Sequence, residues 1–426
     1  MVVCGVWLSV VYGCLWCEGE VEQVGNGHSR VYPVYDQIPQ ERDDDTFAIC
    51  ANSAEVPGAS VSGVRGWSVL LLLSYFSITS GFVVDYMHAV CLGFVRSTAC
   101  MWFNHKGSKK YHLGQKISQI DSRLHNLKSV WEISRLARSV RQWKYWKASE
   151  WRNFLLFFSP VILNGLLPKR YFNNWLKFVG IMHVLMGETV PLHKITILRD
   201  ELIKFLKEYQ RLYGKEKMSY NAHIMLHMID SVKNWGSLWN YSAFPFENTH
   251  GRLLKHFHGT RYVGVQICEK YLLSKELQKL SCGSVSFGKF TDVLKVLLQG
   301  YKSRVFVSRY GNPHFYGNGA LDNGVCFYKK MSIHHFTFCT SGLDRSRRHN
   351  SYFVSGTVFG RIVKIMALCR EHAYTCTCEK HVSVVAQPYR AIRTVIPVLG
   401  NDVQVKSLVE VEPLDEVIEV SALDLV

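Results

Sequence analysis

Apolar residues recur at helical spacing through the middle of this 426-residue chain and alternate with polar ones towards both ends. From about residue 88 to 280 the helical signal is strong. "QKISQIDSRLHNLKSV" places Ile117, Ile120, Leu124 and Leu127 on one face. "HKITILRDELIKFLKEYQRLYG" does the same with Ile197, Leu202, Phe205 and Leu206, then closes on Gly214 as a C-terminal cap. "WKASEWRNFLLFFSPVILNGLL" predicts a helix interrupted at Pro160. Residues 1 to about 60 are Gly-punctuated and β-leaning: "GVWLSVVYGC" reads as a strand and "ERDDDTF" as a polar turn or helix start. Beyond about residue 282, "SCGSVSFGKF", "YGNPHFYGNG" and "HNSYFVSGTVFGRIVKIM" alternate apolar and polar positions between Gly and Asn turns, the pattern of β-hairpins.

The pattern predicts an α+β protein in three parts: a β-containing piece over 1–87, a mainly helical region over 88–282, and a small β-rich region over 283–426 with an acidic tail. "WSVLLLLSYFSITSGFVV" (Trp67 to Val84) is 18 uncharged residues, at the lower edge of a membrane span. Ser and Thr dilute it and Asp85 and His88 follow at once, so it reads as a buried strand plus turn, with no membrane partner. The apolar N-terminus "MVVCGVWLSVVYGC" lacks the basic region of a signal peptide.

Charge adds a partner class. The formal net charge is +16, although the last 17 residues carry six acids, so the body is more basic than the total. With 11 Trp, 21 Tyr and 23 Phe, such a body suits a polyanion, most simply nucleic acid, and equally a solvated basic surface. Thirteen cysteines, an odd count spread through apolar surroundings, point to a reducing intracellular compartment.

Several clusters bear chemistry. Cys14-x-x-Cys17 is half of a tetrahedral Zn2+ site, with His28, Asp85 and His88 as candidates for the other half, or a pair of buried free thiols. Asp85-x-x-His88 reads as a helix cap with a packing histidine, or as metal ligands. His223 and His227, four apart in "NAHIMLHMID", have the spacing for a shared metal but no Glu between them, and read as polar core histidines. "SAFPFENTHGRLLKHFHGTR" sets Glu247 ahead of Arg252, Lys255 and Arg261. Glu247 complements a helix dipole, or it holds a divalent metal while the cations contact phosphates. Arg135, Arg138, Arg141, Lys144 and Lys147 recur every three residues, as a DNA-tracking cationic helical face or a solvated one. Cys376 and Cys378, with His372 and His381 nearby, lack zinc-finger spacing and read as ordinary thiols, or as a small metal clip.

Five blocks in this order resemble the transposases of CACTA (En/Spm-like) DNA transposons, in the branch found in invertebrates: "YGCLWCEGE" with "RVYP" downstream, "GFVVDYMHAVCLGFVR", "YWKASEWRNFLLFFSPVIL", "MSYNAHIMLHMIDSVKNWGSLW" and "YSAFPFENTHGRLLKHFHGT". They span roughly residues 5 to 280. The resemblance implies an RNase H-like core with a large all-helical insertion. It also implies three acids holding two Mg2+ for DNA strand cleavage and transfer. It assigns Glu247 as the third acid, Cys14 and Cys17 as the family's Cys pair, and Asp85 and His88 as its C/D-x-x-H signature beside the core.

In such relatives the first acids lie upstream of the Cys pair, whereas residues 1–13 here contain none. The expectation is therefore an N-terminally truncated, catalytically inactive transposase-like remnant, or a domesticated DNA-binding or chromatin-associated protein. DNA and further copies of the chain are its expected partners. Its expected location is the nucleus, or the cytoplasm for a remnant without function.

Overall fold

The computed structural model describes residues 12–281 except 26–28, 55–58, 105–106, 128–132, 134 and 136–137. Outside that range it describes two short strands between residues 2 and 7 and strand segments between 314 and 421. The chain is mixed helix and sheet, as its periodicity predicts, and it divides into two compact units. The first comprises Met1–Leu127, Arg135–Ala243 and Arg393–Glu410; the second comprises Lys128–Ser134, Phe244–Ile392 and Val411–Val426.

In the first unit, two short antiparallel hairpins, β1/β2 (Val2–Val3, Val6–Trp7) and β3/β4 (Glu22–Val24, Ser29–Val31), precede helix α1 (Asp44–Ser53). The acidic run starts α1 because Asp43 caps it, its carboxylate accepting from the Thr46 N–H at 2.7 Å. The apolar stretch from 67 to 84 forms no strand. It is a 3-10 turn, Val69–Leu72, followed by further turns, and Val69, Leu72 and Tyr75 face outwards. Its Ser and Thr residues instead bond the start of α1: Thr79 N and Oγ1 and Ser77 Oγ all donate to Asp44 Oδ1. Among the described residues, no helix is long and apolar enough to cross a membrane.

The helical scaffold begins with a π-helix, Tyr86–Val95, that runs into α2 (Arg96–Phe103), and continues through α3 (Ile117–Asn126) and α4 (Ala148–Asn153). A π turn over Phe154–Phe158 joins α4 to α5 (Ser159–Ile162) without a break, so the helical run passes through Pro160 and ends two residues later, and Ser159 Oγ donates to Leu155 O at 3.2 Å. Two long helices, α6 (Lys169–Leu185) and α7 (Leu192–Tyr213), pack together. The buried stripe of α7 runs through Ile195, Leu198, Leu202, Phe205, Leu206, Tyr209 and Tyr213, so its phase passes beside Ile197. Gly214 ends it at φ 99°, a conformation that favours glycine.

Aromatic side chains fill this core, and several of their polar atoms are partnered inside it, although Trp151 Nε1 is buried with no hydrogen bond. Phe94, Phe178 and Phe205 cluster edge-on and stacked. Trp102 Nε1 donates to Tyr213 Oη at 2.8 Å, Trp175 Nε1 to Ser159 Oγ at 2.8 Å, and the Tyr209 hydroxyl meets Thr98 Oγ1 at 2.9 Å. Much of the aromatic content is therefore structural.

The cationic helical face expected over 135–147 does not form. Arg138 precedes a 3-10 turn, Val140–Tyr145, and its guanidinium grips the fully buried Glu150 at 2.8 and 2.7 Å and the Tyr145 carbonyl. Arg141 is exposed but bonds Ser118 and lies 3.6 Å from Asp121. Burial pushes the Glu150 carboxyl up, yet Arg138 and the Lys147 N–H outweigh it and bring it below the usual carboxylate range.

The second unit contains α10 (Phe244–Leu253), α11 (Val263–Ser281) and the β-rich region. Strands β5 (His314–Phe315), β8 (Lys330–Ile333) and β9 (Phe336–Cys339) make one antiparallel sheet. In the larger sheet, β11 (Val358–Leu368) pairs antiparallel with β7 (Val325–Tyr328), β10 (Tyr352–Ser355) and β12 (His381–Thr394). β6 (Ala320–Asp322) and β14 (Ile418–Ser421) extend it, and β13 (Val409–Pro413) lies at one end of the strand order.

Removing Arg138 strands a buried carboxylate, so Arg138→Ala is expected to destabilise the protein by about 3 kcal/mol. Arg141→Ala, at an exposed pair, should cost less than about 1 kcal/mol. Because the Glu150 carboxyl is depressed in the folded state, its stabilisation is present above the unfolded carboxyl range and is lost as pH falls through the folded value. Urea midpoints of the two variants at pH 7 and pH 4 measure this: the Arg138 penalty should shrink at the lower pH, and equal penalties for both variants would remove the Glu150 assignment.

Candidate metal centre

Four donors meet in the first unit: Cys14, Cys17, His223 and His227. Their ligand atoms all lie within 4.8 Å of one another and all four residues are buried. Cys14 Sγ is 3.4 Å from His227 Nε2, and Cys17 Sγ is 3.4 Å from His223 Nε2. In a tetrahedral shell, Zn–S bonds of about 2.3 Å and Zn–N bonds of about 2.0 Å put sulfur and nitrogen about 3.5 Å apart. The donor chemistry and spacing fit a Cys2His2 metal site, and this is the one cluster of three or more such donors among the described residues.

Local structure explains how each donor arrives. His223 ends the short helix α8 (Tyr220–His223), capped by the Ser219 side chain, and His227 ends the 3-10 turn Ile224–His227 before α9 (Met228–Trp235). A spacing of four keeps both rings on one side, with centroids 5.3 Å apart. Each imidazole is braced by an aromatic ring from the N-terminal segment: Trp16 stacks on His227 at 5.5 Å and Tyr32 lies against His223 at 4.9 Å.

The cysteine loop is held by the chain around residue 41. Glu18 N donates to Gln40 O, Arg42 N donates to Trp16 O, and Cys17 and Glu41 form an isolated β-bridge. Gly19 is required by proximity, because a Cβ there would lie 2.9 Å from His223 Cε1 and 3.2 Å from Cys17 Sγ.

Electrostatics favours ionisation at one sulfur. Burial pushes the Cys14 thiol up, but the Cys17 side chain, the N–H groups of Trp16 and Cys17, and the Arg42 charge together hold it below the ordinary thiol range. Cys17 is pushed up by its hydrogen bond to Cys14 and by burial, against His223 and His227. A cleft lined by Trp16, Arg42, Asp230 and His227 lies alongside.

Asp85 and His88 do not belong to this cluster. Asp85 caps the π-helix, accepting from the N–H groups of Met87 and His88 and from His88 Nδ1 at 2.5 Å, and it also accepts from Ala243 N at 2.8 Å. The cap and the Ala243 bond occupy its oxygens, and His88 is largely exposed. His223 and His227, expected as core histidines, take the places for which the sequence offered His28, Asp85 and His88. Their four-residue spacing was the available signal, but nothing local joins it to a Cys pair 206 residues away.

Glu247 lies exposed in the first turn of α10. The basic residues behind it do not share one helix, since α10 stops at Leu253 and a 3-10 turn, Leu254–His256, follows. Arg252, Lys255 and Arg261 are all exposed. His28, His372, Cys376 and Cys378 lie outside the described residues. No family model, no curated protein and no solved structure matches this chain.

A methyl group at residue 19 must push His223 off its ligand position. Gly19→Ala should therefore weaken Co2+ binding at least about tenfold, read from the visible absorption of the Cys-ligated ion. Wild-type affinity in that variant would show that the imidazole is not a ligand.

Proposed function

We propose that the chain is a transposable-element-derived, transposase-like protein of the CACTA type, stapled by a structural Zn2+ and acting by binding DNA rather than by cutting it. The observation that carries the reading is the convergence of blocks far apart in sequence. The Cys14/Cys17 loop meets His223 and His227, Val84 N donates to Ser231 Oγ at 3.1 Å, and Asp85 accepts from Ala243 N. Those contacts link residues of four of the five blocks whose order the resemblance rests on.

The Zn2+ would be held by Cys14, Cys17, His223 and His227, where it supplies two positive charges to two buried thiolates and ties the N-terminal segment to the helical scaffold. Four protein ligands leave no open position, which suits a structural rather than a catalytic ion. In this reading the N-terminal hairpins and the helices descend from an RNase H-like core and its insertion.

Strand transfer needs a carboxylate cluster to hold Mg2+, and Glu247 has no cluster of possible ligands around it among the described residues. The reading therefore keeps DNA as partner, through Arg252, Lys255 and Arg261, and assigns no catalytic role. Arg138 is removed from the DNA contacts because Glu150 and Tyr145 engage it; Arg141 remains exposed enough to contribute. Self-association on DNA and a nuclear location belong to the same proposal.

Two measurements test it. Purified protein should contain one Zn2+ per chain, and Cys14→Ser or His227→Ala should abolish uptake. Zn2+ at a hundredfold excess over Kd should stabilise the wild type by about 3 kcal/mol. A chain that neither binds zinc nor responds to it in thermal melts contradicts the staple.

Duplex DNA affinity should fall steeply with salt, and Lys255→Gln with Arg261→Gln should make the log–log slope shallower by about 2, one per lost phosphate contact. Absent or salt-independent binding, or Mg2+-dependent DNA cleavage lost in Glu247→Ala, would each overturn the corresponding part.

A further inference from the structure

Arg42 is a buried cation whose hydrogen bonds all point at one loop and its neighbour. Its side chain is 2% exposed. Nε donates to Cys14 O at 3.2 Å and to Cys17 O at 3.1 Å, and Nη2 donates to Ser62 O at 2.6 Å. Nη1 lies 3.7 Å from the partly exposed Glu18 carboxylate. The residue's own backbone N–H donates to Trp16 O at 2.9 Å. Three carbonyls of the loop that carries both cysteines are thus turned towards a single residue.

That arrangement bears on the sulfurs. Trp16 O and the Cys17 N–H belong to one peptide plane, so holding the oxygen towards Arg42 turns the N–H the other way. With the Cys14 and Cys17 carbonyls also fixed, the peptides that flank both ligands have little freedom left, and a guanidinium fork suits this task better than an ammonium.

We propose that Arg42 is a positioning residue for the metal centre, pre-forming the Cys14–Cys17 loop so that the two sulfurs stand ready for Zn2+ before it arrives. The inference rests on the Zn2+ reading of the cluster and adds that the affinity of the site is set outside its ligands. A purely architectural Arg42, filling the space between the cysteine loop and the turn at Ser62, would change stability and leave affinity untouched.

The test uses the full chain and Zn2+ itself. Dissociation constants are measured by competition with a chromogenic chelator for wild type, Arg42→Gln, Arg42→Lys and Glu18→Gln. Visible spectra of the Co2+ forms and urea unfolding of the metal-loaded proteins are recorded alongside. Arg42→Gln should bind Zn2+ about 10–100-fold more weakly, the range for lost outer-shell partners of a metal site. Arg42→Lys should fall between it and wild type, because it keeps the charge but not the fork. Glu18→Gln leaves the carbonyl bonds in place and should stay within about threefold of wild type. The Co2+ spectra should keep the intensity of a tetrahedral Cys2His2 shell in all four proteins, since no ligand changes.

Wild-type affinity in folded Arg42→Gln and Arg42→Lys overturns the role of Arg42 and leaves the metal centre standing. If Arg42→Gln does not fold, Arg42→Lys decides by the same criterion. A wild-type chain that takes up no Zn2+ in this titration overturns the metal centre and the Arg42 inference together.

Discussion

The N-terminal segment depends on a polar cluster that would be costly to bury alone. Two thiols and two imidazoles lie together inside the first unit with an arginine behind them. Buried polar groups need partners, and buried charge needs compensation. A dication would satisfy the four donors at once, and the surrounding contacts would frame it: Trp16 and Tyr32 lie against the rings, Arg42 clasps the loop, and Gly19 leaves room for His223. The apolar part of this segment is modest, a small group around Leu15, Phe47, Ala51, Val64 and Ile78. The polar centre therefore does for the segment what the aromatic core does for the helices.

Much of the fold was legible because local rules met no opposition. The stripe of α3 at Ile117, Ile120 and Leu124 is buried as its period demands, Gly214 stops α7, and the acidic run at 43–45 starts α1. The stretch from 67 to 84 was misread because uncharged is not the same as buried. Its serines and threonines serve turns around Asp44, and several of its large apolar side chains face solvent. Ile197 missed the buried stripe of α7 for a smaller reason, a phase error of one residue.

The site was half legible, and the division is physical. Cys14-x-x-Cys17 declares itself by spacing, but its partners are chosen by tertiary packing, which sequence distance hides. Asp85-x-x-His88 attracted a metal role because carboxylates and imidazoles are ligands; capping a helix and holding Ala243 uses the same lone pairs. Arg138 looked like one more member of a basic row, while its counter-ion, Glu150, sat buried in helix α4. The abundance of aromatics pointed to a nucleic-acid partner, yet Trp102, Trp151 and Trp175 are core residues. What remains for a polyanion is the exposed basic side chains.

The separation between the two halves of the metal centre has a consequence for biosynthesis. Cys17 and His223 are 206 positions apart. At about 5–20 residues per second, the cysteine loop leaves the ribosome roughly 10–40 s before its histidines exist as peptide. Throughout that interval Arg42 can already clasp the loop, being only 25 residues from Cys17. The nascent chain would then carry a folded half-site with a vacancy, able to hold a metal loosely through two sulfurs or to be oxidised while it waits. If the site takes Zn2+, synthesis speed and the thiol chemistry of the surroundings would bear on how it is filled.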